Sequence, residues 1–364
     1  MPLSVDELAD ISNSTLEVYL DRGRVFKQNI ENKPMLKAFD AAAGKFPGGK
    51  EAVSFAVASG QGGGSLVGYT GDDQVSYYNP TGTKRARFLW KEHHIGMTMT
   101  MSQLKTDGID IVEDGSVASQ EERRMSGREM QVLANMLDEN NEKLGEDYAR
   151  GLDSLIHGDG TSDSKALAGI KSLILDDPSL GSTGGVSRTA NTWWRNRAAT
   201  TAANAAGSGS NQITSATAGG GALLKFLQKE SLQLSRYDDG STKRRWFAGS
   251  DFIDALHTEM RANGYYTQTG WSGGKAVDGK MGMPLWGGEE IVYDPTLDLN
   301  SLAKRCYVID MGKSGIRMLY MDGQRMKRHR PARPYDRYVV YQGITTTAVL
   351  VAKKLRTSAV YDIA

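Results

Sequence analysis

Leu133, Leu137, Leu144, Tyr148, Leu152 and Leu155 recur at three- and four-residue spacings. That spacing puts them on one face of a helix. Glu139, Glu142, Lys143, Glu146 and Arg150 fall on the other face. The pattern predicts one long helix within residues 116–155. Ser119 with Glu122 and Ser126 with Glu129 are two capping boxes that compete for its start. Gly145 weakens it by about 1 kcal/mol relative to Ala, and Gly158 ends it. A helix of about 30 or more residues spans roughly 45 Å at 1.5 Å per residue. The rest of the fold has to be arranged along such a spine.

Glycine sets the second constraint. It supplies 42 of 364 residues, above the usual proportion of about seven per cent. The glycines cluster at 60–71, 181–185, 219–221 and 264–288. Such clusters mark long loops and turns, which suit a surface-covering part better than a catalyst. Residues 51–101 read as a long β-hairpin. Ala52–Ala58 forms one arm and Arg87–Met101 the other, with Ile95, Met97, Met99 and Met101 sharing a face. Between them lies a glycine-rich excursion, 60–82. A hairpin of about fifty residues is long for a compact domain. Its burial is therefore expected on a neighbouring chain.

Residues 1–50 read as an arm. Leu3–Leu20 has helical spacing, and Pro34, Gly44, Pro47, Gly48 and Gly49 break up the remainder of the arm. From 160 to 310 the pattern is mixed. Ala222–Tyr237 and Asp251–Asn263 read as helices, the second capped by Ser250 and striped by Phe252, Leu256 and Met260. Glu290–Tyr293, Arg305–Asp310 and Ile316–Tyr320 alternate like strands, with Trp246–Ala248 ending another. Tyr338–Tyr341 and Thr345–Leu355 are β-rich, so the chain is expected to finish in sheet.

Composition narrows the function. Hydrophobic residues make up 39%, enough for a real core in about two domains or one large irregular one. Lys and Arg number 44 against 43 Asp and Glu, a formal charge of +1. That argues against a nucleic-acid coating protein, though not against local basic patches. Those patches are Lys84, Arg85 and Arg87; Lys243, Arg244 and Arg245; and Arg325, Lys327, Arg328, Arg330, Arg333 and Arg337. Each fits a contact with acidic residues of a neighbour, a face toward packaged nucleic acid, or solvated surface. Cys306, in R-C-Y-V-I-D, reads as a small buried hydrophobe in a strand. As the sole cysteine it excludes an intrachain disulfide and any multi-cysteine metal site. The first ten residues do not read as a signal peptide, and no apolar run approaches a membrane span.

Several partial motifs lack the residues their chemistry needs. Gly44–Lys50, G-K-F-P-G-G-K, has phosphate-loop spacing, but Glu51 stands where Ser or Thr would hold magnesium, and Pro47 sits inside. Gly60–Gly68 lacks the dinucleotide spacing. His93 and His94 are adjacent, so in a strand they point to opposite faces. His157 with Asp159 and Asp163 is conceivable as a metal-dependent hydrolase site, yet Asp in a glycine-rich loop serves turns equally well. Asp176 and Asp177 before Pro178 read as a turn. Trp193 and Trp194, flanked by Arg195 and Arg197, are large amphipathic anchors suited to an interface or a domain core.

Three runs carry a resemblance: Gly151–Ile156, Gly169–Pro178 (G-I-K-S-L-I-L-D-D-P) and Gly184–Asn196 (G-G-V-S-R-T-A-N-T-W-W-R-N). With them, the chain resembles a major capsid protein of a tailed double-stranded DNA bacteriophage. The resemblance implies an α+β, Hong-Kong-97-type phage capsid fold. It would comprise an N-terminal arm (1–50), an extended β-hairpin loop (51–97) and a peripheral domain with the spine helix (98–165). An axial domain (166–312) and peripheral return strands (313–364) would complete it. It implies a non-enzymatic structural protein with no cofactor or metal. Its copies would form the hexamers and pentamers of an icosahedral head around double-stranded DNA, assembled in the bacterial host cytoplasm. The implied partners are a separate scaffolding protein, a portal protein, a decoration protein and DNA held non-specifically, with no membrane. Candidate inter-subunit contacts are Lys84, Arg85, Arg87, Trp193, Trp194, Arg195 and Arg197. Some members cross-link Lys to Asn between subunits, and Lys84 is the candidate here, without a residue match to support it. An encapsulin-like cargo shell shares the implied fold and stays open, as does the hydrolase built on His157.

Overall fold

The computed structural model describes residues 3–4, 32–60, 64–79, 82–106, 111–112, 127–201, 222–262, 291–329 and 339–363. The helical spacing at Leu3–Leu20, both capping boxes, the glycines at 219–221 and 264–288, and Arg330, Arg333 and Arg337 lie outside the described residues. Packing divides the chain into two units. The first contains Glu92–Ser154 and Tyr320–Ala348; the second contains Asn32–Lys91, Leu155–Leu319 and Val349–Ala364.

In chain order, helix α1 (Pro34–Ala41) leads to strand β1 (Gly44–Phe46) and the paired strands β2 (Ala52–Ala58) and β3 (Thr83–Leu89). Strand β4 (Lys91–Thr100) and the 31-residue helix α2 (Gly127–His157) come next. Two short strands, β5 (Ser182–Thr183) and β6 (Val186–Ser187), precede β7 (Arg197–Ala199), α3 (Ala222–Ser235), β8 (Arg244–Ala248) and α4 (Ser250–Ala262). The remainder is β9 (Ile291–Tyr293), α5 (Pro295–Leu299), β10 (Arg305–Asp310), β11 (Ile316–Met321), β12 (Lys327–His329), β13 (Val339–Ala352) and β14 (Ala359–Asp362).

In the first unit, α2 buries Leu137, Leu144, Tyr148 and Leu152 and exposes Glu142, Asp147 and Arg150, as its spacing requires. Tyr148 is tied to Thr346 of β13 by a 2.9 Å hydroxyl–hydroxyl hydrogen bond. Strand β4 pairs with β13, and β12 pairs antiparallel to it through Lys327↔Thr345 and His329↔Gly343. Side chains of β4 alternate strictly. His93, Ile95, Met97 and Met99 turn inward, while Glu92, His94 and Thr98 are exposed. The two adjacent histidines therefore face opposite ways. His94 meets the ring of His329 edge-on at 6.0 Å.

The second unit holds a five-stranded sheet in the order β9-β8-β10-β14-β7. Strand β8 runs parallel to β9 and antiparallel to β10; β14 runs antiparallel to β10 and parallel to β7. All six residues of β10 are buried. Trp246, Leu227, Phe252, Leu256, Val308 and Tyr361 pack in one core between the sheet and helices α3 and α4. Cys306 lies within it, fully buried, and burial pushes its thiol strongly up.

Helix entrances here are closed by distant groups. Glu259 on α4 accepts the backbone N–H of Leu223 and Leu224 at 3.0 and 2.9 Å, satisfying the start of α3. The expected cap of α4 is Ser250. There the Ser250 N–H itself donates to Asp298 at 2.9 Å, and Phe252 N–H donates to the Ala303 carbonyl.

Four expectations are corrected. The first arm of the hairpin pairs with Thr83–Leu89, from Ala52↔Leu89 to Ala58↔Thr83, and not with residues continuing to Met101. Lys91–Thr100 is a separate strand, whose stronger alternation reflects its place beside β13. Pro34 starts a helix, because proline at the first helical position costs no hydrogen bond. Met35, Leu36, Ala38 and Phe39 of α1 are buried, so this part of the expected arm packs on its own chain. The two C-terminal β segments are one 14-residue strand, β13. Finally β14, assigned to the peripheral return strands, pairs with β10 and β7 instead.

Candidate assembly surface

The paired strands β2 and β3 form a two-faced ribbon. Val53, Val57, Ala86 and Phe88 are buried on one face, while Ser54, Ala56, Arg85 and Arg87 are exposed on the other. The buried face rests on the turn joining β5 to β6. Arg87 N–H donates to the Gly184 carbonyl at 2.9 Å. Gly184 has φ +60°, and a Cβ there would come within 3.0 Å of Phe88 and 3.1 Å of Ala86. Only glycine combines that conformation with that approach.

The G-G-V-S-R-T-A-N-T-W-W-R-N run is the platform beneath this ribbon. Arg188 is fully buried at its centre. It donates to Thr183 Oγ1 at 2.9 and 2.7 Å, to Asn196 Oδ1 at 2.5 Å and to the Leu173 carbonyl at 2.5 Å. All its acceptors are neutral. Burial, with Arg195 nearby, lowers its guanidinium to about 10. Trp194 is 2% exposed and donates from Nε1 to the Thr183 carbonyl. The segment acts as an internal fastener that holds the hairpin base at a set place.

The candidate contacts separate accordingly. Trp194 and Arg197 are buried within their own chain, so they are corrected from inter-subunit contacts to core residues. Arg197 makes a two-pronged ion pair with Glu230, at 2.5 and 2.9 Å, which also accepts from Tyr361 Oη at 3.0 Å. Burial alone would lower the Arg197 guanidinium, but this carboxylate outweighs it and raises it. Trp193 and Arg195 are half-buried; Arg195 Nε donates to the Arg188 carbonyl. Lys84, Arg85 and Arg87 are exposed on β3, with Arg87 bonded to Glu51 at 3.1 Å. In the second basic patch Lys243 and Arg245 are exposed and Arg244 is bound to Asp238. In the third, Arg325 lies 5.1 Å over the Tyr320 ring.

The hairpin's far end holds residues that polarity and glycine content did not single out. Every residue from 64 to 79 is exposed. Among them are Leu66 at 105%, Tyr77 at 94% and Tyr69 at 70%, with Val67, Val75 and Tyr78. The segment is nonetheless shaped. Thr70 N–H donates to Asp73 Oδ2, and Asp73 N–H to the Thr70 carbonyl, both at 2.8 Å, closing a turn. The Tyr78 ring sits where a Cβ on Gly64 would be, within 2.0 Å. Large apolar side chains grouped on an exposed, folded projection mark an association surface. Leu66, Val67 and Tyr69 on one side of T-G-D-D, and Tyr77 and Tyr78 on the other, are the signal present in the sequence.

The hydrolase site is not formed. His157 Nε2 lies 2.9 Å from Asp294 Oδ2, with both side chains buried, and Asp294 also accepts the Thr296 N–H that opens α5. Asp159 is taken up by Thr161, whose backbone and hydroxyl hydrogen bonds lower its carboxyl, and Asp163 accepts the Lys165 N–H. Among the described residues no group of three His, Cys, Asp or Glu side chains is placed to hold a metal ion. No described helix is long and apolar enough to cross a membrane.

No protein-family model and no curated protein sequence matches the chain. Solved structures do match, along nearly its full length. The cyanophage A-1(L) capsid asymmetric unit superposes with a TM-score of 0.57 at 11% identity, covering 93% of this chain and 94% of that one. The capsid of Myoviridae phage XM1 gives 0.53 at 10% identity, over 93% and 94%. The capsid of a native GTA particle gives 0.51 at 11% identity, over 93% of each chain. The chain therefore has the fold of these capsid proteins, and the expected α+β, Hong-Kong-97-type capsid architecture is the one it adopts.

Proposed function

We propose that the protein is a shell-building subunit, the major capsid protein of a tailed double-stranded DNA bacteriophage. The observation that carries this reading is the hairpin end at residues 64–79. It is folded, wholly exposed, rich in aromatic and aliphatic side chains, and held out from an anchored base. A chain that buries a full core elsewhere yet leaves these residues in water has a further burial step, onto another copy.

On this reading the chain does structural work and catalyses no reaction. Copies associate into hexamers and pentamers of an icosahedral head that encloses DNA, within the virion, after assembly in the host cytoplasm. The hairpin serves as the extended loop, α2 as the spine of a peripheral domain, and the five-stranded sheet as an axial domain. A separate scaffolding protein, a portal protein and a decoration protein are the further partners. The exposed Lys243, Arg245, Arg325 and Lys327 are the candidates for non-specific phosphate contacts. The experiment is expression of the chain with and without a candidate scaffold, then negative-stain electron microscopy. Closed shells or five- and six-fold rings are expected. A protein that stays monomeric under every condition overturns the reading. Nuclease-protected DNA inside such particles separates a virus head from an encapsulin-like cargo shell.

A further inference from the structure

On the outer face of the first unit, the ring partner of His94 is not its neighbour His93 but His329, far along the chain. The two ring centroids are 6.0 Å apart, with the planes at 88°. Both side chains are exposed. Among the described residues neither ring has a hydrogen-bond or ion-pair partner, so their nitrogens are uncommitted. Strands β4 and β12, which carry them, both pair with β13. His329 stands opposite Gly343 of β13 in that register. From the β4 side, His94 Nε2 lies 2.5 Å from the place a Cβ on Gly343 would take. Cε1 of the same ring lies 2.8 Å from the Cβ position of Gly96. Neither glycine has a positive φ, so backbone conformation does not call for glycine at either place. Glycine inside a strand weakens it and often marks the close approach of another group. Here that group is the His94 imidazole, and the two glycines leave it room to lie across β13 toward His329.

We propose that His94 and His329 form a two-histidine site for a divalent transition-metal ion of the zinc and copper class, and that the bound ion ties β12 to β4 across β13. Neutral imidazole nitrogen is the ligand such ions favour. A tetrahedral ion about 2.0–2.1 Å from one nitrogen of each ring holds the ring centroids about 5 Å apart. The rings stand roughly 1 Å wider than that, a gap closed by small rotations of two exposed side chains. No third His, Cys, Asp or Glu among the described residues is placed to join them, so water completes the coordination. The element that gains is β12, which is three residues long and joined to β13 by three register pairs. The site lies within one chain and is independent of the assembly reading above.

The test is a calorimetric titration of the full chain with zinc chloride. A single ion per chain is expected. His94→Ala and His329→Ala should each weaken binding by about tenfold or more, since each removes one of two protein ligands. His257→Ala, which removes a half-buried histidine of α4 outside the site, should leave binding unchanged. Gly343→Ala keeps both ligands but fills the space beneath His94, and should weaken binding as well. Both histidines are exposed, so circular dichroism of their variants should match wild type. Copper(II) gives a second readout: its electron paramagnetic resonance spectrum should show two coordinated nitrogens in wild type and one in either histidine variant. Hydrogen exchange of the β12 backbone amides should slow when zinc is bound, which an ion held by one strand would not cause. Zinc binding that survives both histidine substitutions would overturn the site and mark an adventitious ion only. Absence of binding to wild type would overturn it equally. Binding that needs both histidines yet leaves β12 exchange unchanged would overturn the tie between the strands.

Discussion

The sheet of the second unit and the hairpin that projects from the same unit use apolar residues in opposite ways. In the sheet, Trp246, Val308 and Tyr361 are fully buried, and the polar groups among them are paired: Arg197 with Glu230, and Arg305 with Asp362 and Asp176. In the hairpin end, Leu66, Tyr69 and Tyr77 lie in solvent, and order comes from a small turn and a ring packed on a glycine. The first region supplies folding free energy within one chain. The second keeps its apolar surface for association. Stability and assembly should therefore separate under mutation.

Glu230→Ala tests the sheet most severely. It leaves Arg197 buried without its carboxylate and removes the acceptor of Tyr361. A loss of about 3–5 kcal/mol is expected, seen as a lowered midpoint in thermal or urea unfolding. The next effect is alkaline. Burial raises the Tyr307 phenol to about 12 from an ordinary 10.0, and burial raises Cys306 and Tyr361 as well. Because these folded-state values lie above the unfolded ones, the stabilisation is full below about pH 9, where the ordinary thiol value lies, and is lost as pH rises toward 12. Tyr307 alone accounts for about 2–3 kcal/mol. A cooperative step in tyrosinate absorbance that coincides with loss of near-ultraviolet circular dichroism, and that is smaller in Tyr307→Phe, is the expected signature of the buried phenols. That step completed while the circular dichroism is still native would contradict it.

Arg87→Ala removes an ion pair whose side chains are 59% and 83% exposed. Screening leaves it less than about 1 kcal/mol, close to the error of an unfolding experiment. Leu66→Ser with Tyr77→Ser has the smallest expected effect on folding, within about 0.5 kcal/mol, since neither side chain is buried in the chain. The same pair should abolish shell or ring formation. A large fall in its unfolding midpoint would show that the hairpin end supports its own subunit instead.

The platform segment marks the limit of what is legible in the sequence. Trp193, Trp194, Arg195 and Arg197 read as one amphipathic anchor, which an interface and a core would use equally. The deciding partner of Arg197 is Glu230, 33 residues away on α3, and no local pattern points to it. His157 shows the same limit: its partner Asp294 stands 137 residues further along, while the nearby Asp159 and Asp163 are spent on turns. At the hairpin end the glycine content and polar neighbours draw attention away from the apolar side chains that matter there.

Local periodicity determined a good deal. It placed α2 with its stop at Gly158, α3 and α4, and the strands Arg305–Asp310 and Ile316–Met321, because side chains one turn or one pleat apart share a face whatever surrounds them. Tertiary structure alone decided which strands pair. Thr83–Leu89, and not the more regularly alternating Lys91–Thr100, closes the hairpin, and the last strand joins the sheet of β10. It also decided which cations are core and which are surface, burying Arg188 and Arg197 while exposing Lys84 and Arg85. The reason is one of range. Helical and pleated spacing is a property of neighbouring residues, whereas pairing and burial depend on groups that meet only after the chain has closed on itself.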